Sequence, residues 1–212
     1  MRKNGIANIS LKTYKPLINM YMPGILGKKV GMTRIIVDGK MTPLTVVQCQ
    51  PNTILQLKTV EKDGYNAIVV GFDEMKKPTK NKKYKHLKEF KVDSLDDYKV
   101  GDLVDVSQFA DVKTCKLTAY SKGKGFQGVI KRHNFSRGPE THGSRHHREP
   151  GSVGACAAPG RVAKGKKLPG RTGSDRVTLT KAKVAYIEPE LNLIGIKGPI
   201  PGAKNNLVVL SF

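Results

Sequence analysis

Three glycines in the stretch SKGKGFQGVIKRH, residues 121–133, fall as Gly123-x-Gly125-x-x-Gly128, the written form of a dinucleotide-binding loop. That chemistry needs a strand before the glycines, a helix whose N-terminus faces the pyrophosphate, and a carboxylate about 20 residues on for the ribose. Beyond Gly128 the chain offers Val129 and Ile130, then KRHNFSRGPETHGSRHHREPG, which has no helical period, and Glu149 stands between Arg148 and Pro150 instead of ending an apolar strand. The sequence therefore predicts no helix here and no dinucleotide site. A second phosphate-loop pattern, Gly160-x-x-x-x-Gly165-Lys166, puts Lys167 where a Ser or Thr must reach magnesium, and it too lacks the flanking strand and helix.

His142 and His146 are four apart, His147 adjoins them, and Cys156 follows, a set of zinc-ligand types. Gly143 lies between the first two, no helix fixes their spacing, and Arg145 and Arg148 would repel a dication. These histidines are read instead as groups that stack on or hydrogen-bond to RNA. No catalytic residue, cofactor or metal is expected, and no small-molecule substrate.

The charge points to a larger partner. The 212 residues carry 38 Lys and Arg against 17 Asp and Glu, a formal +21 with a pI near 10.0. Such a chain repels itself and seeks a polyanion, nucleic acid first. No apolar run reaches the ~18 residues of a membrane span, and Lys12 and Lys15 interrupt any signal-peptide core, so a cytoplasmic location is expected. Cys49, Cys115 and Cys156, odd in number and widely spaced, give no disulfide framework; the first two alternate like strand hydrophobes. Eleven of the 17 acids lie within 61–111, whereas residues 121–176 hold thirteen Lys and Arg against three acids, with eleven of the 22 glycines.

Those basic residues need a scaffold, and the rest of the chain reads as β. TRIIV-DG-KMTPLTVVQCQ is a hairpin across Asp38-Gly39, and TILQLKT-VEKDG-YNAIVVGF a second one closing at Asp63-Gly64. VGDLVDVSQF, DVKTCKLTAYS, RVTLTKAKVAYIE, LIGIKG and NLVVLSF are further strands, and their regular spacing predicts a closed or nearly closed antiparallel barrel. KKPTKNKKYKHLKEFK, residues 76–91, reads as a lysine-rich excursion with a short helix, either a solvated face or a peripheral polyanion contact. Residues 121–176 lack periodicity. Fixing that backbone costs on the order of 1–2 kcal/mol per residue, and Val129, Ile130, Val153 and Val162 bury too little surface to offset it. The segment is thus expected to order inside a partner, and its arginines, which fork onto phosphate oxygens, make that partner folded nucleic acid.

Four motifs in order, MPGILGKKVGMTRI (22–35), SKGKGFQGVIKRHNFSRGPETHGSRHHREPGSVG (121–154), PGRVAKGKKLPGRTG (159–173) and KGPIPG (197–202), closely resemble the bacterial form of the large-subunit ribosomal protein three family. The resemblance runs from Met22 to Phe212. It implies a mainly β fold: an antiparallel barrel of the translation-protein type over residues 22–120 and 177–212, with a small irregular α/β insertion at about 76–91 and a long basic extension, residues 121–176. Residues 1–21, upstream of the family's usual start, are a lineage-specific arm or the product of an upstream start.

The family's function implies binding to 23S-type rRNA, a part in early large-subunit assembly, and an extension tip, Ser152, Val153, Gly154, Ala155, Cys156, Ala157, Ala158 and Pro159, near the peptidyl transferase centre. Proteins fourteen and nineteen of the large subunit are the neighbours it implies. The tip has Ala155 and Ala157 in the stretch where some relatives carry a methylated glutamine, so that modification is expected to be absent. Lys28, Lys29 and Arg34 on the first strands are expected at phosphates. So are Lys122, Lys124, Lys131, Arg132, His133, Arg137, His142, Arg145, His146, His147, Arg148, Arg161, Lys164, Lys166, Lys167 and Arg171 of the extension.

Overall fold

The computed structural model describes residues 23–37, 39–80 and 82–211; the expected N-terminal arm and Asp38 of the first turn lie outside the described residues. In chain order the strands are β1 (Gly24–Val37), β2 (Lys40–Gln48), β3 (Asn52–Lys58), β4 (Ala67–Thr79), β5 (Lys82–Lys91), β6 (Leu103–Val104), β7 (Thr114–Tyr120), β8 (Gly125–Gln127), β9 (Gly170–Thr172), β10 (Arg176–Glu188), β11 (Leu193–Lys197) and β12 (Leu207–Ser211). Two α-helical turns, α1 (Val60–Asp63) and α2 (Val129–His133), and one 3-10 turn interrupt them among the described residues.

Six strands close into a barrel in the order β1-β12-β7-β10-β11-β2, with β2 returning to β1, and every pairing is antiparallel. Alternation explains the closure. In β7, Cys115, Leu117 and Ala119 point inward between exposed or half-buried neighbours, and Val208 and Leu210 do the same in β12. Period-two burial aims one face of each strand at a common axis. Burial pushes the Cys115 thiol up to about 11 and also raises Cys49, so both are inert packing groups.

A four-stranded sheet, β5-β4-β3-β6, packs against the barrel. Its Ile54, Ile68, Val70, Phe72 and Phe90 share one apolar cluster with Ile25, Leu26 and Val47 of β1 and β2. Each such side chain contributes about 1.5–3 kcal/mol through burial. At the junction Gly24 lies so close to β12 and Phe90 that a Cβ there would stand 2.3 Å from the Leu210 carbonyl oxygen and 2.5 Å from the Phe90 ring. Asn52, fully buried, donates its side-chain amide to the Leu26 carbonyl at 3.2 Å. Lys28 of β1 meets Asp73 of β4 at 2.7 Å, and Lys85 of β5 meets the same carboxylate oxygen.

Three expectations are corrected. Residues 76–91 hold no helix: β4 runs to Thr79 and β5 returns from Lys82, forming a hairpin. VDVSQF is not a strand beyond Val104, because Asp105 accepts the Val106 N–H at 2.6 Å and starts a 3-10 turn, Val106–Phe109. The second hairpin closes at Asp63-Gly64 as expected, through the single turn α1, whose end is Gly64 at φ +80°. Residues 121–176 contain a two-stranded β8–β9 pair and the one-turn helix α2, where neither element was expected.

Candidate nucleic-acid interface

The basic segment leaves and re-enters the barrel side by side. Tyr120 at the end of β7 pairs with Arg176 at the start of β10; Ser121 N–H then donates to the Asp175 carbonyl at 2.9 Å, and Lys124 N–H to Thr172 at 2.9 Å. The β8–β9 ladder continues this line through Phe126 opposite Arg171. The segment is thus a two-chain stem at its base, which supplies backbone partners that a lone loop lacks.

Beyond the stem, Gly128 opens α2 and Asn134, at φ +58°, ends it. Val129 is its buried residue, while Lys131, Arg132 and His133 crowd its last turn. Arg132 Nη1 donates to the Leu168 carbonyl at 2.7 Å, and the His133 ring nitrogen Nε2 lies 3.1 Å from the same oxygen. Gly170 permits this, since a Cβ there would stand 2.3 Å from Arg132 Nη1. These contacts tie the outgoing strand to the returning one. A strand, a glycine and a helix do follow one another here, but β8 pairs antiparallel with β9, the helix has five residues, and Gly123 and Gly125 precede the strand's end. A dinucleotide cradle needs a parallel crossover and a full helix, so that reading finds no support in the geometry.

Further out, Gly138 N–H donates to the His147 carbonyl at 3.0 Å, and His147 Nδ1 lies 2.8 Å from the Pro139 carbonyl oxygen. Arg137 pairs with Glu140 and His146 with Glu149. His142, at φ +59°, is exposed. Among the described residues no three His, Cys, Asp or Glu side chains gather at metal-binding geometry. Every residue from 151 to 167 is exposed, which includes the whole stretch Ser152–Pro159, with Arg161, Lys164, Lys166 and Lys167 just after it. Lys122, Lys124, Lys131, Arg145, Arg148 and Arg171 are exposed as well, and among the described residues none of these ten cations has a carboxylate within ion-pair distance. The segment therefore presents a strongly positive surface with little counter-charge.

The profile of the family described as Ribosomal protein L3 matches residues 48–190. Large ribosomal subunit protein uL3 of Petrotoga mobilis (strain DSM 10674 / SJ95) is 45% identical over 201 residues, covering 89% of this chain and 94% of the relative. The chain belongs to the ribosomal protein L3 family.

In this L3 family member the three cations expected at phosphates from β1 separate. Arg34 is exposed, opposite Pro43. Lys28 is held by Asp73 and lies over the Phe72 ring at 5.8 Å. Lys29 turns inward: its ammonium donates to the Ile200 carbonyl at 2.6 Å and to Gly202 at 3.1 Å, and burial, with Lys122 nearby, lowers its pKa. Lys29 backbone groups also bond Asn205 and Asn206, and the Asn206 side-chain amide donates to Tyr120, the root of the basic segment, at 3.3 Å. Sequence reasoning assigns the KGPIPG stretch no role and misses Asn206. Gly202, at φ +100° and within reach of Tyr120 and Asn206, is the available signal that backbone there must approach something closely.

Proposed function

We propose that the protein is a non-catalytic structural constituent of the large ribosomal subunit that binds 23S-type rRNA and acts early in assembly in the cytoplasm. The barrel, of the type shared with translation factors and formed by β1, β2, β7, β10, β11 and β12, fixes orientation. Residues 121–176 enter the RNA as one extension, where its cations let several RNA helices pack more closely than their own repulsion allows. The exposed tip, Ser152–Pro159, approaches the peptidyl transferase centre, where small side chains let backbone come close to RNA. By family analogy, proteins fourteen and nineteen are neighbours.

The observation that carries this reading is the run of exposed cations on a stemmed, mostly irregular segment with almost no counter-charge, in a chain of the L3 family. Lys28 and Lys29 serve instead as internal ties, so the phosphate contacts are assigned to Arg34 and to the segment's own cations and histidines.

The test is rRNA binding across salt. If 6 to 10 phosphates are neutralised, affinity for large-subunit rRNA falls roughly 10³- to 10⁵-fold between 50 and 200 mM salt, by a duplex-DNA rule carried over to RNA. Replacing Lys166 and Lys167 by Gln flattens that dependence while the protein still unfolds at its usual temperature. Salt-independent binding, or failure to co-sediment with large subunits at high salt, would sink the reading.

A further inference from the structure

The β4–β5 hairpin outruns its sheet. β3 pairs with β4 from Lys58–Ala67 to Thr53–Gly71 and no further, so residues 72–79 and 82–86 continue as a two-stranded ribbon without a third strand. Two-stranded ribbons are marginal in water, and this one, with its turn, carries Lys76, Lys77, Lys80, Lys82 and Lys83, all exposed. Like charges crowded on paired strands destabilise them. The nearby carboxylates are already engaged: Asp73 by Lys28 and Lys85, Glu74 by the Tyr84 hydroxyl at 3.2 Å, Glu89 by Lys58 and the Tyr65 hydroxyl. Among the described residues none of these five lysines has an ion-pair partner.

We propose that this ribbon is a second RNA-binding element, docking on the phosphate backbone of a double-stranded rRNA helix independently of residues 121–176. Charge complementarity makes the occupant a polyanion, and the residue types narrow it. Residues 74–91 contain no arginine, so bidentate reading of base edges is absent. The aromatic groups are committed, with His86 stacked on Phe72 and the Tyr84 hydroxyl bonded to Thr53 at 3.1 Å, so no ring is offered to single-stranded bases. What remains is a short bar bristling with ammonium point charges, which suits the fixed phosphate rows of a duplex. An acidic polypeptide lacks those rows. Edge protection, the other use of strand lysines, accounts poorly for lysines that extend past the part of the sheet paired with β3.

The inference rests on the rRNA-binding reading above, and the experiment separates the two. The full chain, a ribbon variant (Lys76→Gln, Lys77→Gln, Lys82→Gln, Lys83→Gln) and an extension variant (Lys166→Gln, Lys167→Gln) are titrated with a 20-base-pair RNA duplex and with large-subunit rRNA at 50 and 200 mM salt. Each phosphate that a variant leaves unneutralised reduces the affinity change across that fourfold salt range by about 3.5-fold, so the ribbon variant sheds up to about 150-fold of salt dependence on the duplex. Its thermal midpoint holds or rises, because repulsion is relieved. An unchanged duplex salt dependence overturns the proposal. So does an unchanged RNA dependence accompanied by lost binding to polyglutamate, which would give the ribbon a protein partner, or by new self-association, which would make the lysines edge protection. If the unaltered chain binds no rRNA, the rRNA-binding reading itself fails; if the extension variant weakens and the ribbon variant does not, the ribbon proposal alone fails.

Discussion

Replacing Lys29 by Met separates a cation that holds the protein together from one that holds RNA. Its ammonium makes two hydrogen bonds, at 2.6 and 3.1 Å, to carbonyls of Ile200 and Gly202, both buried residues. Hydrogen bonds to charged groups contribute about 1.5–3 kcal/mol each, and an orphaned buried acceptor costs about 1–3 kcal/mol. Against this, Met recovers the desolvation that lowers the Lys29 pKa. The net loss is set at about 2–3 kcal/mol. For a chain of 212 residues that lowers the unfolding midpoint by roughly 4–12 °C.

Scanning calorimetry or far-ultraviolet circular dichroism reads the midpoint, and filter binding reads rRNA affinity at two salt concentrations. The expected variant unfolds earlier, binds rRNA with an unchanged salt dependence below its midpoint, and shows faster hydrogen exchange at Asn205 and Asn206, whose amides depend on this corner. An unchanged midpoint together with a shallower salt dependence would return Lys29 to the phosphate contacts and refute the clamp.

Gly24→Ala is expected to destabilise by about 3 kcal/mol in urea unfolding, since its Cβ would meet the Leu210 carbonyl at 2.3 Å, whereas Gly31→Ala, with nothing within 4 Å, stays within about 0.5 kcal/mol; equal effects would refute the close packing of β1 on β12. Burial, outweighing the pull of Asp73, lowers the His86 pKa. Above its unfolded value of 6.5 the folded and unfolded states hold the same protons, and as pH falls below that the unfolded chain takes up a proton the folded one resists, so stability declines as pH falls through 6.5. His86→Gln should remove that decline, and its persistence would assign the titration elsewhere. The Asp73 carboxyl is lowered by hydrogen bonds from Lys28 and Lys85, so its contribution is present above 3.8 and vanishes in more acid solution. At the exposed tip, Ala157→Arg should leave subunit assembly intact while changing peptidyl transfer rate, and Arg161→Ala should weaken assembly first; tip variants excluded from subunits would contradict the assignment.

The barrel was legible because its strands obey a local rule. Cys115, Leu117 and Ala119, or Val208 and Leu210, alternate with outward residues and need no knowledge of their neighbours. The errors fall where a short-range bond or a distant partner decides. Val104 and Val106 are buried at an alternation that imitates a strand, yet the Asp105 side chain captures an amide and turns the backbone. Lysines in 82–88 argue against a strand by propensity, and the pairing with β4 overrides it. In the basic segment the stem joins residues about fifty apart in sequence, so no local window contains both halves, and α2 is too short to show a period. The segment's charge and exposure were readable in composition. The inward turn of Lys29 was not, because the carbonyls it meets lie some 170 positions away.

The ring of strands sets a timetable for the newborn chain. Gly24 cannot meet Ser211, 187 positions later, until the second has been made, and at 5–20 residues per second that wait lasts roughly 10–40 s. During it β1 lacks its β12 neighbour, while residues 121–176 have already been synthesised with their charge uncovered. A cationic arm is therefore exposed before the body that carries it has shut, so the chain presents its charge to the solvent before it presents its finished shape.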